Sequence, residues 1–113
     1  MQQPWLQPQE HAALSAVLGY WEQRWDWECP TLFGLELQDY RAAMASWRES
    51  FDLSRPAVAL ALSGALREFL YGASAVKEDY ISGITNMQKS EIEDLASRVS
   101  PYILEVAESQ CPA

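Results

Sequence analysis

Apolar residues recur at helical spacing along most of the chain, and the pattern breaks where proline, glycine or serine punctuates it. Over residues 8–25, Leu14, Val17, Leu18, Trp21 and Trp25 fall at three- and four-residue steps, which puts them on one helical face. Pro8 suits a first turn, and Glu10 complements the positive end of the helix dipole. Trp27-Glu28-Cys29-Pro30 then ends the pattern, because a residue before proline is pushed out of helical space. In the next segment Phe33, Leu37, Tyr40, Met44, Trp47 and Phe51 are spaced 4, 3, 4, 3 and 4. That 3.5-residue repeat predicts a second helix, with Gly34 delaying its start to about Leu35. The stripe is rich in bulky aromatics, so it is expected to face a bundle core.

Asp52-Leu53-Ser54-Arg55-Pro56 reads as a turn in which Ser54 caps a third helix and Pro56 occupies its first turn. Val58, Leu62, Leu66 (or Ala65) and Phe69 form the stripe of that helix, and Gly72 ends it. The run from Ala57 to Leu66 carries no charge, so this helix is expected to be central, with Gly64 admitting a close neighbour. A fourth helix is predicted from a Ser74 cap through Val76, Tyr80, Ile84 and Met87, weakened by Gly83. Ser90-Glu91-Ile92-Glu93 reads as a capping box opening a fifth helix through Ile92, Leu95, Val99, Tyr102 (or Ile103) and Val106. Pro101 is expected to kink that helix or restart it as a sixth. Asp94 and Arg98 stand in the favourable i, i+4 order. No stretch alternates with period two. The expectation is one all-α domain over residues 1–113, a compact bundle of five to six helices.

Composition narrows the class of protein. The 113 residues are 49% hydrophobic, which is too apolar for a disordered chain. Sixteen acidic against eight basic residues give a net charge of −8, opposite to what a nucleic-acid binder needs against phosphate. The first residues carry no basic n-region of a secretory signal, and no apolar run approaches a membrane span. Two cysteines, Cys29 and Cys111, are too few for a secreted disulfide scaffold, so the expectation is two free thiols in a reducing cytosol and a cytoplasmic, non-membrane protein.

The single histidine, His11, is expected to be solvated in a first turn, with no evident triad partners. Cys29 has no neighbouring Lys or Arg to lower its pKa. There is no H-E-x-x-H, C-x-x-C, EF-hand loop or phosphate-binding glycine loop, and one histidine cannot supply the two Glu-x-x-His motifs of a di-iron bundle. Carboxylate pairs such as Glu22 and Asp26 lack a visible cause of desolvation. The expectation is a non-enzyme without cofactor or metal.

Two features remain. Trp21-Glu22-Gln23-Arg24-Trp25-Asp26-Trp27-Glu28 holds three tryptophans among charged residues, and Trp27 lies outside the helical face of Trp21 and Trp25. It is either a lid on the core or an exposed anchor of the kind that dominates binding hot spots. The second feature is clustered negative charge. Glu22, Asp26 and Glu28 are expected to lie near Asp39 if the first two helices are antiparallel neighbours; Glu78, Asp79, Glu91, Glu93 and Asp94 form another group. Such faces either keep a protein in solution or steer a basic partner.

In size, acidity and helical content the chain is similar to bacterial immunity proteins, small inhibitors that protect a cell from a toxin. The helical members use an Asp and two tyrosines at a helix junction. Glu78-Asp79-Tyr80-Ile81 echoes that pattern without the second tyrosine, so the resemblance assigns no residue. It implies a monomeric immunity protein or antitoxin that binds a toxin domain and blocks it stoichiometrically. Glu22, Asp26, Trp27, Glu28 and Asp39 form its expected partner-binding surface. The alternatives are a homo-oligomeric structural or adaptor subunit using the second-helix stripe, and a phage-encoded acidic inhibitor of a defence nuclease.

Overall fold

The computed structural model describes residues 2–72 and 75–109, and over these the chain is an all-helical bundle. Its elements are α1 (Pro8–Gln23), α2 (Cys29–Phe33), α3 (Leu37–Ser50), α4 (Pro56–Leu70), α5 (Glu78–Thr85) and α6 (Lys89–Glu108). The sixth element is α2, a single short helix where the sequence pattern predicted only a break. Pro30 sits in its first turn and Gly34 ends it in the left-handed region at φ 70°, the usual proline-first, glycine-last bracket. Phe33 therefore belongs to α2, and α3 starts two residues later than expected.

Helix α4, uncharged up to Arg67, is central, as its composition predicts. It packs most extensively against α6 and also against α3, α1 and α2. Val58, Ala59, Ala61, Leu62, Ala65 and Phe69 are at most 1% exposed. Gly64 lets α2 approach: a Cβ there would stand 2.3 Å from the Phe33 ring. The α3 stripe faces this same core, with Tyr40 and Trp47 fully buried. Helices α1 and α3 run antiparallel. His11 stacks on Phe51 at one end (4.1 Å between ring centroids), and Trp25 meets Tyr40 at the other (4.8 Å). Two hydrogen bonds lock the pair, Tyr40 Oη to the Leu18 carbonyl at 2.6 Å and Trp47 Nε1 to Ser15 Oγ at 3.0 Å. His11 is thus half-buried among aromatics rather than solvated as expected.

Three helix ends differ from the sequence reading. Ser54 does not cap α4; its N–H and hydroxyl both donate to Asp52 Oδ1, and Arg55 takes the cap position. The capping box of α6 is shifted by two residues. The Gln88 N–H donates to the Glu91 carboxylate at 2.9 Å, because Asn86 turns the chain at φ 62° and delivers Gln88 already extended. An equivalent Gln-x-x-Glu pair starts α1, where the Gln7 N–H donates to Glu10 at 2.9 Å. Helix α5 opens at Glu78 behind Lys77; the expected cap, Ser74, lies outside the described residues. Pro101 neither restarts nor divides α6, which runs unbroken through it. Pro101 and Ser97 are both on the exposed side, so water can satisfy the carbonyl that loses its helical partner.

Candidate functional site

The turn between α1 and α2 presents the most exposed large aromatic among the described residues, and local bonding explains why. Asp26 folds the chain back on itself: its carboxylate accepts the Glu28 N–H at 2.9 Å, and its carbonyl accepts the Cys29 N–H at 3.2 Å. This is an Asx turn, a side chain standing in for a backbone acceptor. Trp25 before it points inward onto Phe33 and Tyr40, while Trp27 inside it points outward and is 84% exposed. Of the two readings of Trp27, the lid on the core is therefore overturned.

The platform behind Trp27 is fixed at both ends. Phe33 occupies the space above Gly64, and the Arg67 guanidinium donates to the Leu32 carbonyl, tying α2 to α4. Trp21 Nε1 donates to the Ala65 carbonyl at 3.0 Å and anchors the end of α1 to the same helix. Leu32 is left 39% exposed and joins Trp27, Glu28 and Thr31 around a shallow depression of about 330 Å³. The result is an apolar pair rimmed by the Asp26 and Glu28 carboxylates.

The five residues expected to share a surface divide. Asp26, Trp27 and Glu28 are contiguous and exposed. Glu22 sits on the last turn of α1 and pairs with Arg41 of α3 at 3.1 Å, so its charge is matched within the chain. Asp39 is exposed on the first turn of α3, with no hydrogen bond or ion pair to the Asp26–Glu28 turn among the described residues. Leu32 and Thr31 were missed because α2 was missed. The proline-to-glycine bracket from Pro30 to Gly34 was the signal that would have found them.

Cys29 lies beneath this surface and is 4% exposed. Burial pushes its thiol pKa up, and the neighbouring Asp26 and Glu28 charges push the same way, which makes it a poor nucleophile at neutral pH. Cys111 lies outside the described residues. No group of three or more His, Cys, Asp or Glu side chains among the described residues could hold a metal ion. None of their helices is long and apolar enough to cross a membrane. The second acidic group is partly engaged: Asp94 pairs with Arg98 at 3.1 Å, as its spacing predicts, and Glu91 serves the α6 capping pair. Comparison with family models, curated proteins and solved structures returns no match for this chain.

Proposed function

We propose that this chain is a stoichiometric protein inhibitor of the immunity-protein or antitoxin type, binding the basic cleft of a toxin domain through the turn that carries Trp27. The observation behind this reading is an aromatic 84% exposed between two carboxylates, on a turn held rigidly to the core. Tryptophan desolvates a large area with few rotors to freeze, and a pre-ordered support lowers the entropy cost of docking it. Leu32 extends the apolar anchor. Asp26 and Glu28 supply the charge that steers a basic partner, in line with the net charge of −8. Glu22 has its charge offset by Arg41, so of the five expected residues Asp26, Trp27 and Glu28 carry the proposal. A phage-encoded inhibitor of a basic defence nuclease would use the same device. The adaptor alternative loses its surface, since the stripe it relied on is buried within the chain at Phe33, Tyr40, Met44 and Trp47.

The test is affinity capture with the wild type and Trp27→Ala from the native cells, washed at rising salt. The expected result is one stoichiometric partner whose isolated expression kills cells, released early by salt and lost with Trp27→Ala. Capture that is indifferent to both salt and Trp27 would overturn the proposal.

A further inference from the structure

We propose that the groove bounded by α1, α3 and α5 is a second binding site, built to receive an acidic amphipathic helix from a protein partner. Two depressions of about 580 and 510 Å³ share Tyr20, Arg24 and Ile84 and so form one continuous channel along α1. Its floor is the outer face of α1, where Ala12, Ser15, Ala16 and Gly19 recur at helical spacing. Side chains this small allow another helix to approach at the closer end of the usual 8–10 Å interaxial range.

The walls carry apolar groups that the core leaves partly or largely uncovered. Tyr80 and Ile84 belong to the helical run read from the sequence, yet the buried positions of α5 are Ile81 and Thr85, and Ile84 packs only partly against the core. Tyr80 is 63% exposed, and with Ile84 it faces the groove. Two glycines point the same way. Gly19 and Gly83 lie inside helices, have no positive φ, and an added Cβ at either meets nothing within 4 Å. Neither turn geometry nor packing requires them, in contrast to Gly64. Both lie along the groove, and keeping it open is the role that remains for them.

Charge selects the occupant. Four of the eight cations, Arg41, Arg55, Arg67 and Arg98, lie within 4 Å of a carboxylate. Of the four that make no ion pair among the described residues, Arg24, Arg48 and Lys77 line this channel, and Lys89 at the start of α6 does not. Arg24 is held in place by stacking 3.9 Å over the Tyr20 ring and by donating to the Tyr20 carbonyl. Arg48 follows Trp47, which bonds Ser15, so it flanks the early turns of α1; Arg24 and Lys77 stand at the far end. Asp79, also on the groove, leaves the cations in excess. Cations at both ends of an apolar channel match a helix with aliphatic residues on one face and carboxylates beside them. A uniformly charged polyanion is disfavoured, since it offers no aliphatic face to the small and apolar residues that line the channel.

The probe is a synthetic helical peptide of about five turns, leucines on one face and glutamates flanking, against a twin with lysines for the glutamates. Titration into ¹⁵N-labelled protein should saturate for the glutamate peptide and move the Gly19, Arg24, Arg48 and Gly83 amides. Affinity should fall at least tenfold in R24E/R48E. Gly19→Phe and Gly83→Phe fill the channel and should abolish binding without lowering the melting temperature, which separates a blocked groove from an unfolded one. The proposal is overturned by equal binding of the lysine peptide, or by no saturation by about 1 mM. Shifts confined to the Trp27 turn would also overturn it, as would capture of anionic vesicles or of a second copy of the chain in place of the peptide. The result is independent of Trp27→Ala, so this site and the inhibitor surface stand or fall separately.

Discussion

Trp27 and Trp25 differ by two positions and have opposite environments, and the Asp26 turn between them is the cause. Because Trp27 is 84% exposed, Trp27→Ala removes little native packing and should change stability by no more than about 0.5 kcal/mol. Its cost should fall on partner binding instead, at about 2 kcal/mol or more, a loss of roughly thirtyfold or greater. Denaturant unfolding beside a binding titration separates the two quantities, and equal losses in both would assign Trp27 a structural role. The reverse case is Gly64, where even a methyl collides with Phe33 and its backbone. Gly64→Ala should destabilise by about 1–3 kcal/mol and loosen α2, whose Thr31 and Leu32 line the exposed surface, so partner binding should weaken together with stability. Sequence reasoning could name Trp27 as lying off the helical face. It could not decide its exposure, because that depends on a hydrogen bond from Glu28 N–H to Asp26 that periodicity does not encode.

At the scale of elements, long stripes were legible and short or strongly capped pieces were not. The α3 repeat and the uncharged run Ala57–Leu66 of α4 announced core helices, since burial leaves a periodic trace in sequence. Helix α2 spans five residues, too few to show a period, and was visible only in its flanking proline and glycine. The start of α6 was misplaced because Ser90-x-x-Glu93 and Gln88-x-x-Glu91 both read as boxes, and the Asn86 turn chose between them. In α5 Tyr80 satisfied the helical pattern yet is 63% exposed, and Ile84 packs only partly on the core, which a one-dimensional stripe cannot reveal. The glycines give an element-scale prediction. Gly19→Ala and Gly83→Ala place a methyl in open space and relieve a helix-interior glycine. Each should stabilise by about 0.5–1 kcal/mol, and a melting temperature that falls instead would show that packing needs the glycine.

Across the whole molecule, the start of α1 is tied to the late helix by a pair that no local pattern could announce. Glu10, 8% exposed, accepts from Arg98, 88 residues further on, and Arg98 also holds Asp94. The Arg98 hydrogen bond holds the Glu10 carboxyl below its ordinary value of 4.5, against a smaller opposing effect of burial. Beside it, burial against Phe51 and Trp47 holds His11 below 6.5, outweighing the nearby Glu10 charge. Both shifts act in the same direction. The unfolded chain takes up a proton on His11 near pH 6.5 while the folded chain still resists it, so stability falls as pH drops below 6.5. The stabilisation by Glu10 is complete above its unfolded value of 4.5 and is lost as pH falls through its lower folded value. Acid should therefore weaken the fold in two steps, one setting in near pH 6.5 and the other below 4.5. Urea unfolding from pH 7.5 to 3 should show both, His11→Gln removing the upper decline and leaving the lower. Glu10→Gln should cost about 1–2 kcal/mol at neutral pH, the half-exposed Arg98 moderating the loss, and should flatten the lower window. A wild type as stable at pH 5 as at pH 7.5 would mean that His11 gains its charge in place, and that the aromatic stack tolerates imidazolium as readily as water does.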